Sequence, residues 1–417
     1  MFSAPVQAQD TLTVQGPPQT SADRNEAVLT LEETLARARG DQPAIAAFAR
    51  EAIASEEEAV AARSLPDLQV SVGIQNFPIT GDDAFSPTDA FMTMYTIGVM
   101  REQVRRSRRE AEAAQLRAEA AVSRAQGSTQ VLDIEREVMI AWIKAVEAAA
   151  KQRLLTQIIS DLRVGRSVME AAIATGGSNA ALALAAQAEI ALSQAQLAAA
   201  RGAEGRARGE LARWIGAAAQ RPLPNAVPVL TPPTEIGLTA TGRGHPRIAA
   251  SAAQELAAQG QVEVAQSERR SNLSWSVMLG LRPEFGHMLS AQVSVPLQIN
   301  RRGLQNRRIA AAQSRSEAAR LRTQDVGREL GASYATALAE YQNAAAAVAQ
   351  LQDNAIPALE ASFKAAEARY AGGQGTLELP LDIVRRYVEA NLELVEQQSA
   401  RAQAAAELIY LVGGTPR

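Results

Sequence analysis

Two acidic and two basic side chains near the start of the last predicted helix have the types and spacing to act on ions. Glu378 and Asp382 are four residues apart, which puts both carboxylates on one face of a helix. Such carboxylates, repeated by symmetry, attract cations and can hold a constriction through bonds to basic partners, here Arg385 and Arg386. We therefore predict a gate at these four residues. The alternative is a helix N-terminus whose carboxylates are stabilised by the helix dipole.

Two methionines have the chemistry to bind a soft metal ion. Met92 and Met94 are two residues apart and would share one face of a strand. Thioether sulfur is a soft ligand that suits Cu(I) or Ag(I). Two thioethers without a third donor make a poor site, however, and methionine is a common adaptable apolar residue. We therefore predict no metal ligand from the sequence.

The residues that enzymes use are missing from the sequence. Neither His245 nor His287 has a second ligand at metal spacing, and there is no phosphate-binding loop and no nucleophile elbow. The sequence has no cysteine, which excludes disulfides, thiolate metal sites and a lipid-modified N-terminal cysteine. A net charge of -3 disfavours a nucleic-acid partner. We predict no catalytic residue, no cofactor and no enzymatic activity.

Long helices must position these residues. The chain is 47% hydrophobic but only 4% aromatic, and its Ala-rich composition is typical of long helices. Helical periodicity predicts one helix over residues 30–64 and another from Arg101 to Thr175. The second would be on the order of 110 Å long, which exceeds an ordinary globular domain. No run of about 18 apolar residues marks a transmembrane helix.

Four short segments alternate apolar and polar residues and predict β-strands, with Met278 as an exception in the third. Their polar members are small, which suits a water-filled lumen on one face and lipid on the other. A soluble hairpin with one solvated face is the alternative, but the flanking helices are too long for a globule. Four strands cannot close a barrel, so oligomerisation is expected, and three copies would give about twelve strands. The segments are Leu68–Gln75, Met94–Val99, Leu273–Leu279 and Leu289–Val295.

The chain contains two copies of one unit. Gln42–Ala47 resembles His245–Ala250, Leu211–Gly216 resembles Leu408–Gly413, and two further matches lie between them in the same order. Each copy is predicted to run helix, two strands, long helix, helix. The predicted organisation is a tail with a secretory-signal remnant over 1–28, repeats over 29–220 and 238–414, a Pro-rich linker over 221–237, and a C-terminal tail over 415–417.

Residues from about 29 to 414 resemble the TolC-type outer-membrane efflux family. The segment Tyr370–Arg386 is similar to the most diagnostic part of that family, a Tyr, a Gly-containing turn and a Leu- and acid-rich helix start. Pro357–Glu360 and the basic turn Arg301–Gly303 also resemble it. Pro380 departs from the pattern by separating the two acidic positions. The Met-Thr-Met of Met92–Met94 is similar to the heavy-metal branch of the family.

The resemblance implies a mainly α fold with a small β part. Long antiparallel helices would form a periplasmic α-barrel, and four strands per protomer would contribute to a trimeric, 12-stranded outer-membrane β-barrel. It implies a passive duct of a tripartite efflux system, supplied by a periplasmic adaptor (membrane fusion protein) and an inner-membrane pump of the resistance-nodulation-division type. The helical tube would lie in the periplasm and the strands in the outer membrane.

The heavy-metal branch predicts metal cations as the exported solutes. A drug-efflux or type I secretion duct of the same family remains open. A soluble periplasmic coiled-coil scaffold also remains, although its heptads should continue through 66–100 and 270–298 and do not.

The helix-helix turns after the long helices are the predicted contacts with the adaptor, because the family meets its adaptor there and small residues permit close backbone approach. They are Thr175, Gly176, Gly177 and Ser178 in the first copy, and Gly372, Gly373, Gln374 and Gly375 in the second.

Overall fold

The structure, a computed structural model, describes residues 27–40, 42–86, 88, 90–174, 180–232, 244–283, 285–371 and 378–413. Helices dominate, and four strands interrupt them in two pairs. In chain order the elements are α1 (Leu31–Ala38), α2 (Pro43–Ala62), β1 (Gln69–Gln75), β2 (Met94–Gln103), α3 (Arg106–Ala174), α4 (Ala180–Ile215), α5 (Pro246–Ser267), β3 (Leu273–Leu281), β4 (Met288–Ser294), α6 (Gln305–Gln350), α7 (Ile356–Ala371) and α8 (Glu378–Leu411). None of the described helices carries a stretch apolar enough to cross a membrane.

The chain divides into two compact units. One is drawn from the residues up to Arg37 and from Ala141–Val227, and the other from Ala38–Ile140 and from Pro228 onward. Each unit has its own buried core, described below.

The single helix predicted over 30–64 is wrong, because the structure has two helices there. α1 ends at Ala38 and α2 begins at Pro43, with Gln42 in an extended conformation between them. Proline restricts the residue before it to extended backbone and is itself favoured as the first residue of a helix. The predicted start of the next helix at Arg101 is also wrong, since β2 continues to Gln103.

The second long helix is interrupted just before Pro357. α6 ends at Gln350, a π-helical turn covers Leu351–Ala355, and α7 begins at Ile356. Proline has no N–H to donate to the carbonyl one turn earlier, so a regular α-helical ladder cannot pass through this position. α3 contains no such break along its 69 residues.

The first unit is fixed by a buried tryptophan and a buried arginine. Trp142 is 2% exposed, and its indole N–H donates to the carbonyl of Leu29 at 3.1 Å. Arg221 is buried as well, and its guanidinium donates to the carbonyl of Ala27 and pairs with Glu33. The start of the predicted Pro-rich linker is therefore anchored to the chain preceding α1.

The second unit has a core where α6 packs against α8. Leu330 and Ala337 of α6 are buried together with Leu408 and Tyr410 of α8. The Tyr410 hydroxyl donates to Asp133 at 2.7 Å, and burial followed by this hydrogen bond raises the pKa of the phenol to about 12. A polar group is thus accommodated in the core because it has a partner.

Candidate functional site

The four strands predicted from alternation are confirmed, and they form one antiparallel sheet in the order β1-β2-β3-β4. The register of the sheet defines its two faces. Val72, Ile97 and Leu279 are direct partners on neighbouring strands, and every second residue along each strand lies on the same face as they do. The face so defined, called the apolar face below, holds Val70, Val72, Ile74, Tyr95, Ile97, Val99, Arg101, Gln103, Leu273, Trp275, Val277, Leu279, Leu281, Leu289, Ala291 and Val293.

The apolar face is aliphatic in its middle and aromatic near its two ends. Tyr95 pairs near one end of the sheet, and Trp275 pairs with Arg101 near the other. The six residue steps from Tyr95 to Arg101 on β2 span about 20 Å at the usual strand rise. The aliphatic side chains between them are open to the surroundings; Val72 is 79% exposed and Leu289 73%. Aliphatic bands of this height with aromatic borders are typical of strands that face lipid.

The opposite face, called the polar face below, carries mostly small or hydrophilic side chains together with four methionines. It holds Gln69, Ser71, Gly73, Gln75, Met94, Thr96, Gly98, Met100, Glu102, Ser274, Ser276, Met278, Gly280, Met288, Ser290, Gln292 and Ser294. Its charged member, Glu102, accepts a hydrogen bond from Asn272 at 2.9 Å. Such a surface is suited to contact with water rather than with lipid.

The sheet has two open edges. β1 and β4 are its outer strands, and among the described strands neither has a partner beyond it. Because all neighbours are antiparallel, β1 and β4 run in opposite directions. The free edge of β4 can therefore pair antiparallel with β1 of a second copy, and repetition of that head-to-tail contact can close a ring.

The structure brings three of the four predicted gate residues together. Asp382 pairs with Arg385 at 2.9 Å and with Arg386 at 3.0 Å, all within the first turns of α8. The side chains are substantially exposed, so the pairs are worth little to stability. α8 begins at Glu378, and Pro380 falls in its first turn, where a helix needs no N–H donor. The side chain of Glu378 is outside the described residues, so the gate stays a prediction.

The predicted adaptor contacts are also outside the described residues, since Thr175–Ser178 and Gly372–Gly375 fall in two undescribed segments. The histidines are placed where the sequence suggests. His245 caps α5: its Nδ1 accepts from the N–H of Arg247 at 3.1 Å and its Nε2 donates to the carbonyl of Tyr410 at 3.2 Å. His287 precedes β4. The described residues contain no group of three His, Cys, Asp or Glu able to hold a metal.

A cavity of about 620 Å³ lies where the sheet joins the helices of the second unit. Its charged lining is internally paired, because Glu268 forms ion pairs with Arg108 at 3.8 Å and with Arg308 at 3.4 Å. Arg108 pairs further with Glu112, and that hydrogen bond raises the pKa of the guanidinium. Glu268, Arg108 and Arg308 of the lining are thus paired without a ligand.

Sequence reasoning missed two residues of the polar face, Met278 and Met288. Met278 carried a signal, since it interrupts the alternation of its strand at a position expected to be polar. Its place relative to Met94 depends on the register between β2 and β3, which pairs Met278 with Gly98 and which the sequence pattern does not define.

The fold is that of known outer-membrane channels. The structure of CusC, a protein that forms a transmembrane channel, superposes with a TM-score of 0.79 at 16% identity over 95% of each chain. The Campylobacter jejuni outer-membrane channel CmeC gives 0.77 at 13% identity over 98% of this chain and 94% of that one. The open state of the Neisseria gonorrhoeae channel MtrE gives 0.75 at 17% identity over 98% and 97%. No protein-family model and no curated protein sequence matches the chain.

Proposed function

We propose that this chain is one protomer of a trimeric outer-membrane efflux duct of the TolC type, which passively exports solutes and catalyses no reaction. The sheet carries the proposal. Its apolar face is exposed and bordered by aromatic residues, its polar face is small and hydrophilic, and both its edges are open. An open edge in lipid leaves backbone groups without partners, and closure by other copies removes that cost. The shared fold with outer-membrane channels supports the same function.

The test is assembly and conductance. The chain should fractionate with the outer membrane, have the mass of three copies in detergent and open ion-conducting pores in a planar bilayer. A paired design isolates the sheet: Val72→Asp puts a charge on the apolar face and should prevent insertion, because a charged side chain that faces lipid costs free energy, most of all near the bilayer centre. Ser71→Asp, its neighbour on the polar face, should insert and conduct. A stable monomer in detergent, or equal tolerance of both changes, contradicts the proposal.

The duct is proposed to receive its cargo from a periplasmic adaptor and an inner-membrane pump of the resistance-nodulation-division type. The adaptor would meet the glycine-rich turns at Thr175–Ser178 and Gly372–Gly375. Bulky substitutions at Gly177 and Gly372 should abolish export and leave the trimer intact. Unchanged export in both variants rules out these turns as the adaptor contact.

The gate is proposed at Glu378, Asp382, Arg385 and Arg386. Asp382→Ala removes the acceptor that holds both arginines, and single-channel recording should show altered conductance or cation preference. Glu389→Ala is a matched control on the same helix, since its contact with Arg385 is longer, at 3.9 Å. An unaltered Asp382→Ala channel would mean that the carboxylate only stabilises the helix start.

The exported solutes are proposed to be heavy-metal cations rather than drugs or proteins, on the resemblance of Met92–Met94 to the heavy-metal branch. Deleting the gene and measuring growth on copper, silver, zinc, cobalt and cadmium salts, beside a panel of dyes and antibiotics, tests this directly. Sensitivity to the organic compounds alone would reject the metals and leave the duct standing.

A further inference from the structure

The large apolar side chains of the polar face are all methionines. Met94, Met100, Met278 and Met288 are on this face, whereas the valines, leucines and isoleucines of the strands are on the other. The whole chain has only eight methionines. Hydrophobic burial does not account for this segregation, because Met100 and Met288 remain 38% and 45% exposed. Thioether chemistry is what distinguishes these residues from leucine.

Three of these methionines lie around Gly280. Gly280 pairs directly with Met288 on β4, and Met278 lies two residues away on the same strand and face. The Met94 side chain reaches Gly280 from the neighbouring strand β2, because a methyl group added at Gly280 would lie only 2.6 Å from the Met94 sulfur. Directly paired side chains on a sheet start about 5 Å apart and diagonal ones about 7–8 Å apart, within reach of a methionine. The absent side chain at Gly280 therefore leaves room for the Met94 sulfur, and the Met278 sulfur extends toward the same place, since it reaches the amide of Gln75, the direct partner of Met94.

The donors near this point favour a soft ion over a hard one. The Thr96 hydroxyl, in the same row as Gly280, already donates to the carbonyl of Gly73 at 3.2 Å. The Gln75 amide reaches the Met278 sulfur at 3.5 Å, which shows that this sulfur is accessible to a polar group from the same face. The carboxylate of the face, Glu102, lies at the far end of β2. Hard divalent cations need several oxygen ligands, whereas neutral thioethers suit monovalent soft cations.

We propose that Met94, Met278 and Met288 form a three-thioether site for a soft monovalent cation, Cu(I) or Ag(I), on the polar face beside Gly280. The inference rests on the proposed function in one respect, that the polar face lines the pore and meets the exported ion. The site itself belongs to one chain, so its binding can be measured without transport.

The experiment measures Ag⁺ binding to the purified full-length protein in detergent and chloride-free buffer, by titration calorimetry and by silver analysis after desalting. The wild type should bind about one Ag⁺ per chain. Met94→Leu, Met278→Leu and Met288→Leu keep the apolar volume, and each should weaken binding roughly tenfold or more because one soft ligand is lost. Met100→Leu is the matched control, since its direct partners are Gln69 and Ser276, and it should bind like the wild type.

Gly280→Ala separates geometry from composition. It retains every methionine but displaces the flexible end of Met94, so the protein should assemble normally and bind Ag⁺ weakly. Equal binding by the wild type and the three leucine variants, or an equal loss in Met100→Leu, overturns the site. Measuring the conductance of the same samples distinguishes failure of the metal site from failure of the proposed function. Protein that conducts but does not bind Ag⁺ rejects the site alone. Protein that binds Ag⁺ specifically but does not conduct rejects the duct alone.

Discussion

The long helix of the first copy and its counterpart in the second differ in continuity and in what they bury. α3 continues for 69 residues and buries large side chains near its middle, among them Met139, Trp142 and Ile143. The counterpart consists of α6, a π-helical turn and α7, and most of the buried positions of α6 are alanine. The first helix is thus held by large side chains and an unbroken hydrogen-bond ladder. The second is held by close backbone packing and contains a built-in irregularity at which bending is easier.

The largest expected effect comes from removing the anchor of α3. Trp142→Ala deletes a fully buried ring and its hydrogen bond to Leu29, and should destabilise the protein by about 3–5 kcal/mol. Leu338 occupies the corresponding place in α6, at the spacing that aligns Val99 with Val295. Because Leu338 is only partly buried, Leu338→Ala should cost about 1–2 kcal/mol. Denaturant unfolding in detergent measures both, and equal losses would contradict the contrast between the copies.

Exchanging the proline between the copies should give an intermediate effect. Pro357→Ala restores an N–H donor and should stabilise the region by about 1–3 kcal/mol, seen as slower amide exchange across residues 351–356. Asp161, which occupies the place of Pro357 in the first copy, is exposed within α3. Asp161→Pro should destabilise by about 3 kcal/mol or more, whereas Asp161→Ala should be nearly neutral. Unchanged exchange in Pro357→Ala would show that the π-helical turn has another cause.

The smallest effect concerns the N-cap residues of α2 and α5, Gln42 and His245. Burial lowers the pKa of His245, although its hydrogen bond to the carbonyl of Tyr410 acts in the opposite direction. The unfolded chain therefore binds a proton at a higher pH than the folded chain does, so stability should fall as the pH drops through the unfolded value, about 6.5. His245→Gln recreates the first-copy residue and should flatten this part of the stability profile. Thermal melts between pH 5 and 8 test it, and a profile as steep as the wild type's assigns the pH dependence to other groups.

The strands were predictable because their signal is local. Alternation over Gln69–Gln75 and over Leu273–Leu281 follows from one face meeting water and the other an apolar phase, and each residue reports its own face. The break before Pro43 was predictable in principle for the same reason, since proline restricts only its neighbour. The prediction of one helix over 30–64 was wrong because it relied on the apolar periodicity and not on the proline at position 43.

Contacts across long stretches of sequence were not predictable. The pairing of Arg39 with the buried carboxylate of Glu135, and the burial of Arg221 against Glu33, depend on how distant segments pack. The methionine cluster depends on register in the same way, because a shift of one residue would have moved Met278 to the apolar face. For the gate, the sequence indicates carboxylate spacing, but whether that face of α8 looks inward depends on other copies of the chain.

The open edges of the sheet also determine how assembly can fail. In the proposed ring, the hydrogen bonds that would join β4 of one copy to β1 of the next are the same whether the third copy meets the first or a fourth is added. Backbone pairing therefore does not determine how many protomers form the ring, and the curvature of the four strands must determine that number. Before such a ring closes, each chain would present two unpaired edge strands and an exposed aliphatic surface, so newly made protein would partition between closed rings and open aggregates according to its concentration. For the proposed duct, slow delivery to the membrane would then be as much a condition for yield as the stability of the finished assembly.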